Sequence, residues 1–303
     1  MKPESIAVLG GGLMGAGIAQ VFASAGHSVA VFEPDAAARD SLPARIIAGL
    51  NLVGGDRSAA ANITVHDCLA DAVAGAAFVT EAAPEKIDLK RNLFAQLVEH
   101  APREAILASN SSVIPVTRIT QDLPTAERMV GTHWWNPAPL IPLVEVIQGE
   151  RTARATVDMT MELLRRSGKS PAHVRKDLPG FVANRLQHAL WREAIAMVAE
   201  GVCDAQTLDE CVKNSFGRRL EVLGPLENAD LVGLDLTLDI HKTMMPELDR
   251  HDRPHEYLEA KVACGELGFK TGNGFRSWTE NQKEAVRAGL ATHLLAALER
   301  GRQ

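Results

Sequence analysis

The sequence predicts an α/β domain with a predominantly parallel sheet over residues 1–178, followed by an all-α domain over residues 179–303. Three observations carry that expectation. Short β-branched or apolar runs at residues 5–9, 28–33, 63–66, 77–81 and 105–108 alternate with helical stretches at about 14–25, 36–50 and 86–100. Such alternation builds a parallel sheet covered by crossover helices. At Asp177-Leu178-Pro179-Gly180 a turn signal precedes a long helix whose apolar positions Val182, Leu186, Ala189, Leu190 and Met197 recur at helical spacing. Finally, 303 residues are more than most single cores organise, so two domains are the natural expectation.

The first strand runs directly into Gly10-x-Gly12-x-x-Gly15, which opens the first helix. Gly10 permits the tight turn, Gly12 admits a pyrophosphate against the backbone, and Gly15 lets helix and sheet approach. The helix start offers free N–H groups and a favourable dipole to phosphate. The second strand, Val29-Ala30-Val31-Phe32, ends on Glu33, placed to accept hydrogen bonds from an adenosine ribose. Its charge repels a 2′-phosphate, so the motif selects NAD over NADP. Together these features define a Rossmann-type domain, with Gly10, Gly12, Leu13, Met14, Gly15 and Glu33 as its cofactor-binding residues.

Two further strands, Met129 to Trp134 and Leu143 to Ile147, flank the turn Asn-Pro-Ala-Pro-Leu-Ile-Pro, whose prolines can continue neither a helix nor a central strand. A helix near 152–167 completes the first domain. Downstream, Asp204 is placed to N-cap a helix through Val212, and the pattern to Leu298 is helical, with loops rich in His, Asp and Pro around 249–255.

Composition narrows the partners. Net charge is −6 with no long basic run, so no nucleic-acid or anionic-lipid footprint exists and a small-molecule partner fits better. Cys68, Cys203, Cys211 and Cys264 form no CxxC pair and no disulfide framework, which points to the cytoplasm; no metal-ligand spacing is evident. The Gly-interrupted start is a nucleotide turn rather than a signal peptide, and no membrane span is expected.

The chemistry is carried by two residues. Oxidising a secondary alcohol needs a base for the hydroxyl proton while hydride leaves for a nicotinamide, and a neutral His oriented by a carboxylate does this near pH 7. His133 ends its strand before the Pro-rich turn, and Glu145 sits on the next strand, where it can pair across.

With these motifs in place, the chain resembles the 3-hydroxyacyl-CoA dehydrogenase family. The resemblance rests on the Gly10 to Gln20 turn, Ser109 to Ser112, His133 to Ile147, and Pro179 to Leu186, in that order. The segments 224–235 and 267–275 extend it over the helical domain. It implies His133 as base and Glu145 as its partner, Ser112 and Asn184 as substrate contacts, and Asn110 and Asn136 on the nicotinamide side. Glu81 maps near the nicotinamide ribose. The activity implied is reversible NAD-dependent oxidation of the 3-hydroxyl of an L-3-hydroxyacyl-CoA or small 3-hydroxy acid, in a homodimer paired through the helical domain.

The chain departs from the family at one place. CoA-using members carry a Lys-rich helical hairpin after the second strand, whereas here no Lys occurs between Lys2 and Lys86, and the interval offers Arg39, Arg45 and Arg57. Relatives without that hairpin, similar to carnitine and L-gulonate 3-dehydrogenases or to a pyridine-aldehyde dehydrogenase, act on small carboxylates. Arg218 or Arg219 is a candidate clamp for such a carboxylate. A non-catalytic, crystallin-like NAD-binding protein is the alternative of another class.

Overall fold

The computed structural model describes residues 3–301. They divide into two compact units, one of residues up to Asn184 with those from Ala291 onward, the other running from Arg185 to Leu290.

The first unit is built on β1 (Ser5–Leu9), β2 (Ser28–Phe32), β3 (Ile63–His66), β4 (Phe78–Glu81), β5 (Ile106–Ser109), β6 (Met129–Trp134), β7 (Leu143–Ile147) and β8 (Ser170–Val174). They form one sheet in the order β3-β2-β1-β4-β5-β6-β7-β8. All neighbours run parallel except β6 and β7, which are antiparallel. The central strands are apolar and buried on both faces, as a helix-covered parallel sheet requires. Crossovers are α1 (Leu13–Ser24), α2 (Ala36–Leu52), α3 (Leu69–Val73), α4 (Ile87–His100), α5 (Val116–Thr120) and α6 (Arg154–Arg166). One core cluster gathers Ile6, Val8, Phe22, Val29, Val31 and Trp134, and another gathers Leu9, Val79, Phe94, Leu97, Leu107 and Met129.

The strand at 170–174 was not expected. Its sequence Ser-Pro-Ala-His-Val lacks a β-branched run, and only its pairing with β7 over five residues makes it a strand. Pro171 is tolerated because β8 is the last strand of the sheet. The sheet unit also extends past the expected boundary to Asn184, because Val182, Ala183 and Asn184 bond back to Glu145 and Ser112.

The helical unit holds α7 (Ala183–Ala199), α8 (Ala205–Asn214), α9 (Pro225–Val232), α10 (Leu234–Met244), α11 (Glu256–Ala263) and α12 (Glu280–Arg300), whose ends reach into the first unit. Asp204 caps α8 as expected, accepting the Thr207 N–H at 2.7 Å. The expected apolar stripe of α7 is not buried: Val182, Leu186 and Leu190 are exposed, and within the helix only Ala196 is buried. Periodicity identified the helix, but among the described residues nothing buries that face. None of the described helices is long and apolar enough to cross a membrane.

Candidate active site

The glycine turn meets the demands of a dinucleotide site. A Cβ on Gly15 would lie 1.8 Å from the Gly10 carbonyl oxygen, so α1 can start against β1 only with glycine there. At Gly12 a Cβ would meet nothing within 4 Å, and no side chain caps the start of α1, which leaves open space and free N–H groups where a pyrophosphate binds. Leu13 is exposed on the first turn and Met14 is half-buried against the core. Glu33 follows β2, its Oε2 accepting the Gly11 N–H at 2.7 Å and its Oε1 the Asp35 N–H at 2.9 Å. The acid is therefore fixed beside the turn before any ligand arrives. These residues fit an adenine dinucleotide.

Farther along the sheet, His133 and Glu145 are register partners across the antiparallel β6–β7 pair. His133 Nδ1 and Glu145 Oε2 lie 2.7 Å apart, both residues buried. The other Glu145 oxygen, Oε1, accepts the N–H groups of Val182 at 2.9 Å and Ala183 at 3.1 Å. Burial opposes the charge of Glu145, but the hydrogen bond to His133 and these N–H donors outweigh it and hold the carboxyl below the ordinary carboxylate range. The carboxylate engages the ring at Nδ1 and not at Nε2. The imidazole has two aromatic neighbours, Trp135, with ring centres 5.4 Å apart, and Phe181, at 5.5 Å.

Ser112 is exposed on the loop after β5, and its backbone is held from two sides. Asn184 Nδ2 donates to the Ser112 carbonyl at 3.0 Å, while the Ser112 N–H donates to Glu85 Oε1 at 3.1 Å. The same Glu85 oxygen accepts the N–H groups of Val113 and Ile114 and the Ser111 hydroxyl. Burial works against the Glu85 charge, but these donors and nearby Lys90 prevail and lower its pKa. Asn110 accepts the Trp134 N–H at 3.0 Å through Oδ1, tying β5 to β6. Asn136 is exposed beside the cis bond to Pro137.

Glu81 is fully buried, and its carboxylate is taken by Lys90 Nζ at 2.7 and 3.0 Å, Ser109 Oγ at 2.7 Å and the Ala83 N–H at 2.6 Å. It therefore braces the ends of β4 and β5 from within. Glu85 and Lys90, not singled out in the sequence, take part in the same network. A signal existed: Lys90, Leu93, Phe94 and Leu97 fall at i, i+3, i+4 and i+7, so the lysine sits on the buried stripe of α4, where it needs an anion. Lys169 was also missed. Its buried ammonium donates to the Ala138 and Ile141 carbonyls at 2.5 and 3.0 Å, fastening the Pro-rich loop, and burial lowers its pKa to about 8. Arg218 and Arg219 are exposed in the helical unit.

Comparisons with known proteins identify the family. Residues 5–178 match the family model described as 3-hydroxyacyl-CoA dehydrogenase, NAD binding domain, and residues 180–278 match its C-terminal domain. The 5-formyl-3-hydroxy-2-methylpyridine 4-carboxylate 5-dehydrogenase of Mesorhizobium japonicum is 35% identical over 298 residues, covering 97% of this chain and 96% of that protein. A crystal structure of a dehydrogenase with that activity, described as an NAD+-dependent dismutase, superposes with a TM-score of 0.91 at 34% identity, covering 98% of this chain and 99% of that one. An (S)-3-hydroxybutyryl-CoA dehydrogenase of Ralstonia eutropha gives a TM-score of 0.76 at 32% identity, covering 92% and 100%. The chain therefore belongs to the 3-hydroxyacyl-CoA dehydrogenase family of NAD-dependent oxidoreductases.

Proposed function

We propose that the protein interconverts the hydroxyl and carbonyl forms of a small carboxylate that carries no CoA, using His133 and Glu145 for proton transfer. The observation that carries the chemistry is the 2.7 Å contact between His133 Nδ1 and a Glu145 carboxylate held by two backbone N–H groups. In the oxidising direction His133 Nε2 takes the substrate hydroxyl proton, and Glu145 stabilises the imidazolium that results. Bound NAD supplies the hydride acceptor. Gly10, Gly12, Leu13, Met14, Gly15 and Glu33 hold its adenosine and pyrophosphate, with Asn110 and Asn136 toward the nicotinamide. Ser112 and Asn184 bind the substrate oxygen.

The CoA-free reading is supported by the cations after β2, each of which already has a protein acceptor. Arg39 Nη1 donates to the Glu33 and Pro34 carbonyls, Arg45 Nη2 to the Ala38 carbonyl, and Arg57 Nε to Asn51 Oδ1. A 3′-phosphate would want such groups as charge-assisted partners. At nearly equal identity, the pyridine-carboxylate enzyme also superposes better than the CoA-dependent one. The test is NADH oxidation with acetoacetyl-CoA, free acetoacetate, dehydrocarnitine and a formylpyridine carboxylate. Turnover of a free acid, with acetoacetyl-CoA at least ten-fold poorer in kcat/KM, is the expected result; preference for the thioester overturns the CoA-free reading while leaving the catalytic pair intact.

The protein further acts as a homodimer in the cytoplasm. Helices α8, α9, α10 and α11 bury no residue within this chain, and Val222, Leu226, Leu231 and Leu234 are 87, 80, 73 and 63% exposed. So much open apolar surface calls for a protein cover, and a second copy of the same unit supplies matching apolar faces. Sedimentation should give twice the chain mass; a folded monomer at micromolar concentration contradicts it.

A further inference from the structure

Gly180 and Phe181 take consecutive left-handed backbone conformations, with φ of 75° and 51°. The first suits glycine; the second is a region that an aromatic residue rarely adopts. Such a residue persists only where its surroundings over-determine it, and those surroundings are specific here. Phe181 is 4% exposed and packs with Ile147 and Val174. Ile147 lies two residues beyond Glu145 on β7, so the two side chains share a face of the sheet. Gly131, the register partner of Ile147, keeps that face open: a Cβ there would come within 2.9 Å of the Ile147 Cβ. The ring thereby reaches the His133 imidazole, with centres 5.5 Å apart and planes inclined at 50°. The Phe181 N–H closes the turn onto the Leu178 carbonyl at 3.0 Å, and the next two N–H groups, those of Val182 and Ala183, both end on Glu145 Oε1.

We infer that Phe181 is a positioning residue for the proton-transfer pair, its ring setting the plane of the His133 imidazole and its left-handed backbone delivering two N–H donors to Glu145. The inference rests on His133 being the base. A smaller side chain frees one face of the imidazole, whereas a backbone that leaves the left-handed region withdraws the donors that keep Glu145 ionised and aimed. The two roles separate by substitution. Phe181→Leu keeps buried bulk, Phe181→Ala removes the ring and keeps the conformational strain, and Phe181→Gly removes the ring while relaxing the backbone.

The test reads two quantities in the full-length protein: kcat and KM for NADH with the carbonyl substrate that the wild type turns over, and the low-field proton resonance of the His133 Nδ1–H to Glu145 bond, assigned by its absence in His133→Asn. A small misplacement of a reacting group can cost on the order of 100-fold. Phe181→Ala and Phe181→Gly should therefore lower kcat roughly 10- to 100-fold with KM for NADH unchanged, and broaden or shift the resonance. Phe181→Leu should restore most of the rate, and Phe181→Gly should melt no lower than Phe181→Ala. The inference is overturned if the Ala and Gly variants keep the wild-type rate and resonance, or if rate and NADH binding fall together while the resonance stays. Wild-type turnover by His133→Asn instead assigns the failure to the choice of base. The resonance alone decides the positioning role if a variant is too unstable to assay.

Discussion

His133 and Glu145 are register partners on antiparallel strands, and the contact between them, 2.7 Å from Nδ1 to Oε2, orients the imidazole by its Nδ1 side. Glu145→Gln keeps the shape but puts an amide where an anion was, losing the imidazolium stabilisation and the tautomer preference; kcat should fall by about 10²- to 10⁴-fold. Stability gives an independent reading. The folded pKa of Glu145 lies below its ordinary 4.5, so its contribution is complete above that value and disappears as pH falls through the folded pKa. Denaturant titrations should show the gap between wild type and Glu145→Gln widest near pH 7 and closing below about pH 4.5.

The buried Lys90–Glu81 pair makes a second prediction. Both side chains are fully buried, so Lys90→Met strands a carboxylate and should cost about 3–5 kcal/mol. Adding Glu81→Gln removes the stranded charge and should recover a large part of that loss. Urea unfolding of the two single variants and the double variant measures the coupling.

The contrast between these pairs shows how far the sequence could be read. Strand patterning placed β1 to β7, and the short Pro-rich connection put Glu145 on the strand after His133, within reach to pair across, without a structure. The pairing of Glu81 with Lys90 was not legible, because the sequence marks the strand end but not which helix residue folds back onto it. Phe181 was invisible for a different reason, since a left-handed φ leaves no mark on sequence unless glycine or asparagine holds the position. The exposure of the α7 stripe was not legible either, because periodicity reports that a face is apolar, not what covers it.

Glu33 makes the cofactor prediction. Its carboxylate accepts the Gly11 N–H and, in the proposed site, the ribose hydroxyls, so Glu33→Ala should lose that ligand contact and loosen the turn. The dissociation constant for NADH, read by fluorescence titration, should rise about 5- to 30-fold, as loss of one charge-assisted hydrogen bond implies. Discrimination against NADPH should narrow, because the repelling charge is gone.

Lys169 predicts a pH dependence of the same sign at higher pH. Burial lowers its folded pKa from 10.5 to about 8, so between those values the unfolded chain binds the extra proton and the folded state gains stability as pH rises. Relative to Lys169→Met, which lacks this titration, wild type should gain about 2 kcal/mol between about pH 7 and 9.5. Matched chemical denaturation series at the two pH values measure it.

The central claim is that His133 carries the proton, and it is tested most directly by measuring NADH affinity and turnover of the same carbonyl substrate in His133→Asn. The account predicts an unchanged dissociation constant for NADH and a kcat lowered by at least about 100-fold. A variant that binds NADH normally and turns over within a few-fold of wild type would contradict it and move the proton to another group.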